Sequence, residues 1–299
     1  MEAQRTLKRQ ISCAGIGLHS GTKVTLTLKP AAADTGIRFR RTDLGVEIPA
    51  TVGHVTSLQY ATVLGRDGAT VDTVEHLLAA LVSSGIDNVV IELTQREVPI
   101  MDGSSAPFLY LVQEAGVKRL SAPRKYLKVL EPIQLVDGDK RVAVYPSDHF
   151  KVSYTISFDH PLLKHQSRTE RITEQTFAEH IAPARTFGFL KEVEWMRQRN
   201  LALGGSLENA VVIGDTGVLN PLRFEDEFVR HKILDAIGDL SLVGYPIIGH
   251  VVAHRAGHAM HTALAARLLE EQQAWCLVEA PGAAAEAPHA AAATSPVRT

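Results

Sequence analysis

Apolar and polar residues alternate along two segments near the N-terminus, Val24–Leu28 and Ile37–Arg40. A period of two residues is typical of a half-buried β-strand. The segment between them contains Pro, Ala and Gly, so we expect the two strands to form a hairpin at the start of the chain. A glycine-rich stretch, Gly15–Lys23, lacks the spacing of dinucleotide-binding and phosphate-binding loops and precedes a strand. A hairpin turn is expected there as well.

Helical periodicity occurs in two places, and each time a strand and a second helix follow. The first set is a helix at Thr73–Ser83 with Asp72 or Thr73 as cap and Gly85 as stop, a strand at Asn88–Leu93 and a helix through Pro107 to Glu114. The second set is a helix from about Phe224 to Val243, a strand at Gly249–His254 and a helix from Gly257 through Leu269. The repeated order predicts a duplicated, strand-rich unit with two helices.

The length of 299 residues is sufficient for about two domains. A new set of strands, Tyr126–Leu130 and Val142–Tyr145, begins after Ser121–Arg124. We therefore expect an N-terminal domain at residues 1–122 and a C-terminal domain at residues 123–280. From Pro281 onwards the chain is rich in Ala and has no apolar periodicity, so residues 281–299 are predicted to be a disordered, dispensable tail.

Composition and charge exclude several classes of protein. The 31 Lys and Arg residues against 33 Asp and Glu residues give a net charge of −2 without a long basic run, which argues against a nucleic-acid-binding protein. No apolar run approaches the roughly 18 residues of a membrane span, and the apolar stretch within Met1–Ser20 is too short and Gly-broken to predict a signal peptide. Two cysteines cannot form a disulfide framework or a thiolate metal site. We expect a soluble chain in the reducing cytoplasm, where any metal must be held by His and carboxylate ligands.

The predicted helix from Phe224 carries a polar stripe, because His231, Asp235 and Asp239 follow one another at intervals of four residues. The rest of this helix is apolar nearly all round, which indicates burial. Buried carboxylates are costly unless they are paired, hydrogen-bonded or bound to a metal. A His one turn before an Asp offers two metal ligands on one face. A satisfied polar network around His231 and a metal site remain equally plausible at this point.

Glu75 and His76 lie in the first predicted helix, where their side chains point about 100° apart. One could therefore bind a metal while the other reaches a water molecule, although the pair taken alone is more typical of an ordinary helix start. Another histidine, His258, follows Gly257 at the opening of a helix and could be an acid, a base or a capping residue. His254 has metal-pair spacing to His258, but the turn at Gly257 breaks the helix that this spacing would require.

Four segments of the chain are informative when taken together, namely Val74–Ala80, Pro99–Ser104, Ala184–Phe189 and His231–Asp239. They resemble segments of a known family, the UDP-3-O-acyl-N-acetylglucosamine deacetylases, which are zinc amidases of lipid A synthesis. The resemblance extends in order from about Gln4 to Glu279.

The resemblance implies an α+β fold of two similar domains, each a mainly antiparallel sheet with two helices, with the helices packed between the sheets around a cleft. It also implies residue roles, which are the following: His76, His231 and Asp235 bind Zn²⁺, Glu75 is the general base, His258 assists as acid, Asp239 orients His258, Thr186 stabilises the oxyanion and Lys232 lies near the substrate.

The substrate that the resemblance implies is a UDP-linked acylated amino sugar, deacetylated by a chain that we expect to be a monomer. An insert at about residues 185–220, including Phe187, Phe189 and Leu203, corresponds to the part that holds the acyl chain. The expected nucleotide-sugar contacts are Leu18, His19, Lys140 and Phe158. Two rival functions remain: a zinc-free module that binds sugar nucleotides, and a metal-dependent amidohydrolase acting on another N-acyl amino sugar.

Overall fold

A computed structural model describes residues 2–160 and 163–279, and the tail predicted at residues 281–299 lies outside these ranges. The chain has a mixed α+β fold, with several small sheets and six α-helices in the described ranges. This agrees with the expected fold class. Within those ranges no helix is long and apolar enough to cross a membrane.

The strands are β1 Ala3–Leu7, β2 Ile11–Ile16, β3 Lys23–Pro30, β4 Ile37–Arg41, β5 Val46–Pro49, β6 Val55–Ser57, β7 Val63–Arg66, β8 Ala69–Val71, β9 Val89–Leu93, β10 Val117–Pro123, β11 Lys125–Val129, β12 Ile133–Asp137, β13 Lys140–Tyr145, β14 Lys151–Ile156, β15 Gln166–Arg171, β16 Phe187–Phe189, β17 Val211–Ile213, β18 Ile247–Ile248, β19 His250–His254 and β20 Trp275–Glu279. The helices are α1 Glu75–Ser83, α2 Ala106–Ala115, α3 Glu174–Thr176, α4 Leu190–Arg197, α5 Glu227–Leu240 and α6 His258–Glu270.

Two five-stranded sheets have the same strand order and directions. One is β2-β3-β9-β4-β5 and the other is β12-β13-β19-β14-β15. In each sheet the third and fourth strands are parallel, whereas all other neighbours are antiparallel. The helix before the third strand is α1 in one case and α5 in the other, and the helix after it is α2 or α6.

The expected hairpin between Val24–Leu28 and Ile37–Arg40 is wrong, because β9 lies between β3 and β4. Val89, Ile91 and Leu93 of β9 are fully buried. A central position in the sheet provides this burial, whereas an edge position would leave the strand more exposed. The hairpin that does form joins β2 to β3 through the predicted turn in Gly15–Lys23.

Helix α1 begins later than expected and has no side-chain cap, since its N-cap residue is Val74. The predicted capping role of Asp72 or Thr73 is therefore wrong. The reason is a competing contact, because the Thr73 hydroxyl donates to Glu97 instead and Asp72 pairs with Glu97 in an isolated β-bridge. Helix α5 likewise begins three residues later than expected, at Glu227.

The two helices that carry most of the candidate residues, α1 and α5, pack directly against each other. At Gly238 of α5 a Cβ atom would lie 2.1 Å from the carbonyl oxygen of Glu75. Only glycine permits this approach. The close crossing brings the first turn of α1 next to the polar stripe of α5.

Candidate active site

A cleft of about 260 Å³ lies where α1, α5 and the β16–α4 segment meet. It brings together eleven of the fifteen residues expected from the sequence. Its lining comprises Leu18, Tyr60, Thr73, Glu75, His76, Phe158, Thr186, Phe187, Gly188, Phe189, Glu192, His231, Lys232, Asp235 and His258. Tyr60, Thr73, Gly188 and Glu192 were not anticipated.

His76, His231 and Asp235 form a buried cluster at the floor of the cleft. Each offers a ligand atom, and these atoms lie within 4.8 Å of one another. Asp235 Oδ1 is 3.6 Å from His76 Nε2 and 3.3 Å from His231 Nε2. The sequence placed two of these residues one turn apart on α5, whereas the third arrives from α1 through the crossing at Gly238.

The hydrogen bonds around this cluster engage His231 at Nδ1 and Asp235 at Oδ2. The ring of His231 donates from Nδ1 to the carbonyl oxygen of Ala184 at 3.0 Å. Burial lowers the pKa of His231 to about 4, so the ring is neutral and Nε2 keeps its lone pair. Asp235 accepts from Lys232 Nζ at Oδ2, at 2.7 Å, while its buried Oδ1 has no hydrogen-bond partner among the residues that the structure describes.

This donor set fits a divalent metal of the zinc type. Burial alone would raise the pKa of Asp235, but His231 and Lys232 hold it well below its ordinary value. A buried, ionised oxygen without a partner is costly, and coordination would remove that cost. Two imidazole nitrogens and one carboxylate oxygen form a three-residue set found in catalytic zinc sites, which keep a further position open.

Glu75 lies beside the cluster with one carboxylate oxygen held and the other turned toward the cleft. Its Oε2 accepts from the Thr62 backbone N–H at 3.1 Å, and its Oε1 is 3.9 Å from His258 Nε2. Burial raises the pKa of Glu75. Thr62 was not anticipated; it lies in a loop and has no periodic signal in the sequence.

Asp239 connects His258 to a second histidine behind the cleft. Asp239 Oδ2 accepts from His258 Nδ1 at 2.8 Å and from His261 Nδ1 at 2.9 Å, and Oδ1 accepts from Thr62 Oγ1 at 2.5 Å. Burial lowers the pKa of His258, but Asp239 outweighs it and raises that pKa to about 9. Burial alone would raise the pKa of Asp239, but its two histidine partners outweigh burial and hold that pKa at about 2.

Asp239, His258 and His261 also have ligand atoms close enough together to hold a metal. However, both Nδ1 atoms are already engaged with the carboxylate, and His261 Nε2 lies 2.9 Å from the Tyr154 hydroxyl. A protonated His258 does not bind metal. This group is therefore better suited to holding protons. His261 and Tyr154 were missed because their contacts join distant parts of the chain.

The insert supplies the opposite wall of the cleft. It contains a strand, a helix and a second strand, which are β16, α4 and β17, and β16 and β17 pair in parallel. The ring of Phe158 lies 6.1 Å from Phe187 and 5.7 Å from Phe189, measured between centroids. These three rings form an apolar wall next to the metal-facing residues, and Thr186 lies at its start.

Three expected contact residues lie outside the lining. Lys140 is exposed at the start of β13, next to the turn from β12. Leu203 is 52% exposed, and its backbone N–H donates to the carbonyl oxygen of His19. His19 lies beside Tyr60, with ring centroids 6.2 Å apart, and neither of its ring nitrogens has a partner in the described ranges.

The model of one protein family, described as LpxC, UDP-3-O-acyl N-acetylglycosamine deacetylase, matches residues 4–270 of this chain. The chain belongs to this family. Its relatives include proteins named UDP-3-O-acyl-N-acetylglucosamine deacetylase from Syntrophotalea carbinolica, Pseudomonas entomophila and Anaeromyxobacter dehalogenans. The first is 51% identical over 94% of this chain and 92% of its own length. The second is 51% identical over 93% of this chain and 94% of its own length. The third is 52% identical over 94% of this chain and 92% of its own length. The match covers the cleft, the insert and both five-stranded sheets.

Proposed function

We propose that this chain is a zinc-dependent deacetylase of lipid A biosynthesis. It hydrolyses the N-acetyl group of UDP-3-O-(3-hydroxyacyl)-N-acetylglucosamine and releases acetate and the free 2-amine. The observation that carries the proposal is the buried set of His76, His231 and Asp235, whose free ligand atoms converge in the same cleft as Glu75 and His258. Family membership supports the choice of substrate.

In this proposal His76, His231 and Asp235 hold the zinc ion. Bound there, Zn²⁺ would act as a Lewis acid toward the amide carbonyl and would lower the pKa of water to about 7. Lys232 neutralises one oxygen of Asp235 through its 2.7 Å hydrogen bond and leaves the other oxygen for the ion. The hydrogen bond that His231 Nδ1 donates to the carbonyl oxygen of Ala184 fixes the orientation of the ring. Histidines that bind a metal commonly donate such a bond from their other ring nitrogen.

Glu75 removes the proton from the attacking water. Burial raises the pKa of its carboxylate, which makes Glu75 a stronger base than an exposed glutamate. The Thr62 N–H holds one oxygen at 3.1 Å, so the other oxygen can face the cleft. The water oxygen then forms a bond to the acetamide carbon, and negative charge develops on the carbonyl oxygen. The hydroxyl of Thr186, which lines the cleft, donates to that oxygen.

His258 supplies a proton to the departing amine. Asp239 keeps the ring oriented through Nδ1 and charged at neutral pH, so the proton at Nε2 faces the cleft on the side of Glu75. When the C–N bond of the amide breaks, its electron pair takes this proton. The products are acetate and the free amine of the sugar.

We further infer that the chain is built as two similar units, residues 1–122 and 123–280, with the helices between their sheets. The identical order of the two five-stranded sheets supports this division. In the same proposal the enzyme works as a monomer in the cytoplasm, which suits its two free cysteines, Cys13 and Cys276.

Metal analysis and acetate release, measured on the same preparations, test the proposed function. We expect about one zinc per wild-type chain and acetate release from the UDP-linked acylated substrate. His231→Ala should lose zinc and activity together, because it removes one of three ligands. A metal-free chain that binds the substrate without turnover would reject the proposal in favour of a binding module. Equal turnover of unrelated N-acyl amino sugars would reject the proposed substrate.

A further inference from the structure

Glu97 is a buried carboxylate that lies behind the cleft and has no assigned role. It is 1% exposed. Its Oε1 accepts from the backbone N–H of His19 at 2.8 Å and from Thr73 Oγ1 at 3.1 Å, and its Oε2 accepts from the backbone N–H of Ser20 at 2.8 Å. All three donors are neutral groups from two separate segments. One carboxylate therefore joins these segments.

The first segment leads directly into the catalytic helix. Thr73 has a φ of +60°, which is an outlier for a β-branched residue. Such a conformation persists only where the surroundings enforce it, and it concentrates at functional sites. The hydroxyl bond to Glu97 fixes this residue two positions before Glu75 and three before His76. A small rotation at Thr73 would therefore displace both the base and a metal ligand.

The second segment is the turn Leu18–Ser20, which connects the cleft to the insert. Leu18 lines the cleft. The carbonyl oxygens of Leu18 and His19 accept from the backbone N–H groups of Gly204 and Leu203, at 3.0 and 3.2 Å. The turn also fits closely around the carboxylate, since a Cβ atom on Gly17 would lie 2.2 Å from Glu97 Oε2. The turn is thus held by Glu97 on one side and by the insert on the other.

We propose that Glu97 is a positioning residue of the deacetylation reaction: its carboxylate sets the start of α1 relative to the Leu18–Ser20 turn and the insert. One oxygen controls where Glu75 and His76 lie, and both oxygens control where the substrate-facing turn lies. The inference rests on the proposed function, because the reaction supplies its main readout. It differs from that function in naming a residue that touches neither metal nor substrate.

Two substitutions test separately the contact of Glu97 with the Leu18–Ser20 turn and its contact with Thr73. Glu97→Gln keeps the size of the side chain, and its amide oxygen can still accept from His19 and Thr73. Its NH₂ group must then face the N–H of Ser20, so two donors oppose each other and the turn is displaced. We expect KM for the acylated substrate to rise about tenfold or more while kcat changes little.

Thr73→Gly tests the contact between Glu97 and the segment that leads into α1. Glycine adopts a positive φ without steric cost, so the backbone strain is relieved while the hydroxyl bond to Glu97 is lost. We expect kcat to fall about tenfold or more with KM and zinc content preserved. Thr73→Ser retains the hydroxyl and should retain kcat. If the Thr73 hydroxyl contributed only to stability, Thr73→Gly would lower Tm but leave the kcat of the folded enzyme unchanged.

Amide hydrogen exchange tests the anchoring independently of activity. In Glu97→Gln the N–H of Ser20 should exchange at least about tenfold faster than in wild type, whereas amides of the distant strand β14 should be unchanged. Wild-type KM and unchanged Ser20 exchange in Glu97→Gln would overturn the proposal. Wild-type kcat in Thr73→Gly would also overturn it. A wild-type enzyme that releases no acetate would instead reject the proposed function, and the exchange data would still report on the anchoring.

Discussion

At the scale of single residues, the proposed mechanism gives two carboxylates different roles, one in metal binding and the other in proton transfer. Asp235 gives one oxygen to Lys232 and leaves the other free among histidine nitrogens. Glu75 gives one oxygen to the Thr62 N–H and leaves the other toward His258. Both are buried, yet their environments shift their pKa values in opposite directions. Such divergence is a signature of carboxylates with different catalytic roles.

The role of Glu75 predicts a large effect of a small substitution. Glu75→Gln preserves the acceptor for the Thr62 N–H but cannot take a proton, so we expect kcat to fall about 100-fold or more with zinc content retained. Steady-state kinetics and metal analysis measure this. Glu225→Gln, which removes the same charge from an exposed position, is the matched control and should behave as wild type. Near-normal kcat in Glu75→Gln would exclude a base role.

The contact between His258 and Asp239 predicts a change in pH dependence. The proposed mechanism requires a protonated His258, so activity should be lost as the pH rises through its pKa, which Asp239 raises to about 9. Asp239→Asn removes that charge and lowers the pKa of His258. The basic limb of the kcat/KM profile should therefore move by about one pH unit or more to lower pH.

Asp148→Asn, at an exposed position, controls for the change in net charge and should leave the profile in place. An unmoved basic limb in Asp239→Asn would show that His258 is not the group that titrates there.

The sequence predicted some residues of the candidate site and missed others. The difference lies in how far apart along the chain the contacting residues are. His231, Asp235 and Asp239 share one helix, so their four-residue spacing was sufficient to place them on one face. Thr62 and His261 meet Asp239 through contacts between positions 177 and 22 residues apart. No local period in the sequence encodes such a contact, and the resemblance to a family implied no role for Thr62 or His261.

At the scale of secondary-structure elements, the site depends on the crossing of α1 and α5. Helical periodicity predicted both α1 and α5, and the apolar residues around α5 indicated that it is buried. The sequence did not indicate that these two helices would pack against each other, nor that Gly238 would meet the backbone of Glu75. The sequence also did not determine how the strands pair. It predicted β3 and β4 as strands, but β9 lies between them because its side chains are buried in the complete sheet.

Gly238→Ala tests the crossing. Alanine normally favours a helix interior over glycine, by roughly 1 kcal/mol. Here its Cβ atom would lie 2.1 Å from the Glu75 carbonyl oxygen, so the helices must separate. We expect a lower Tm, weaker zinc retention and reduced kcat. Gly53→Ala, where a Cβ atom would meet nothing within 4 Å, is the control. A Gly238→Ala variant as stable and active as wild type would contradict the close packing.

At the scale of the whole molecule, the insert forms one wall of the cleft, and we propose that this wall binds the acyl chain of the substrate. Phe158, Phe187 and Phe189 line the cleft, and the exposed Leu203 lies beyond it, attached to the Leu18–Ser20 turn. Burial of each CH₂ group contributes up to about 0.8 kcal/mol. Binding energy from this remote group can also position the acetamide for reaction.

Removal of the O-acyl chain should therefore lower kcat/KM by several orders of magnitude. Leu203→Gln should harm substrates with long chains selectively, because short chains end before they reach this position. Kinetics with a series of chain lengths measure both effects, and Leu44→Gln, in the exposed turn between β4 and β5, is the control. Equal kcat/KM for acylated and non-acylated UDP-N-acetylglucosamine would reject the acyl passage.

The central claim is that zinc binds between α1 and α5 at His76, His231 and Asp235. Anomalous diffraction from crystals of the purified enzyme, collected on both sides of the zinc absorption edge, tests it most directly. We predict one anomalous peak at roughly 2.0–2.2 Å from two imidazole nitrogens and from an Asp235 oxygen. A peak among Asp239, His258 and His261 instead, or no peak between the two helices in zinc-replete crystals, would contradict the account.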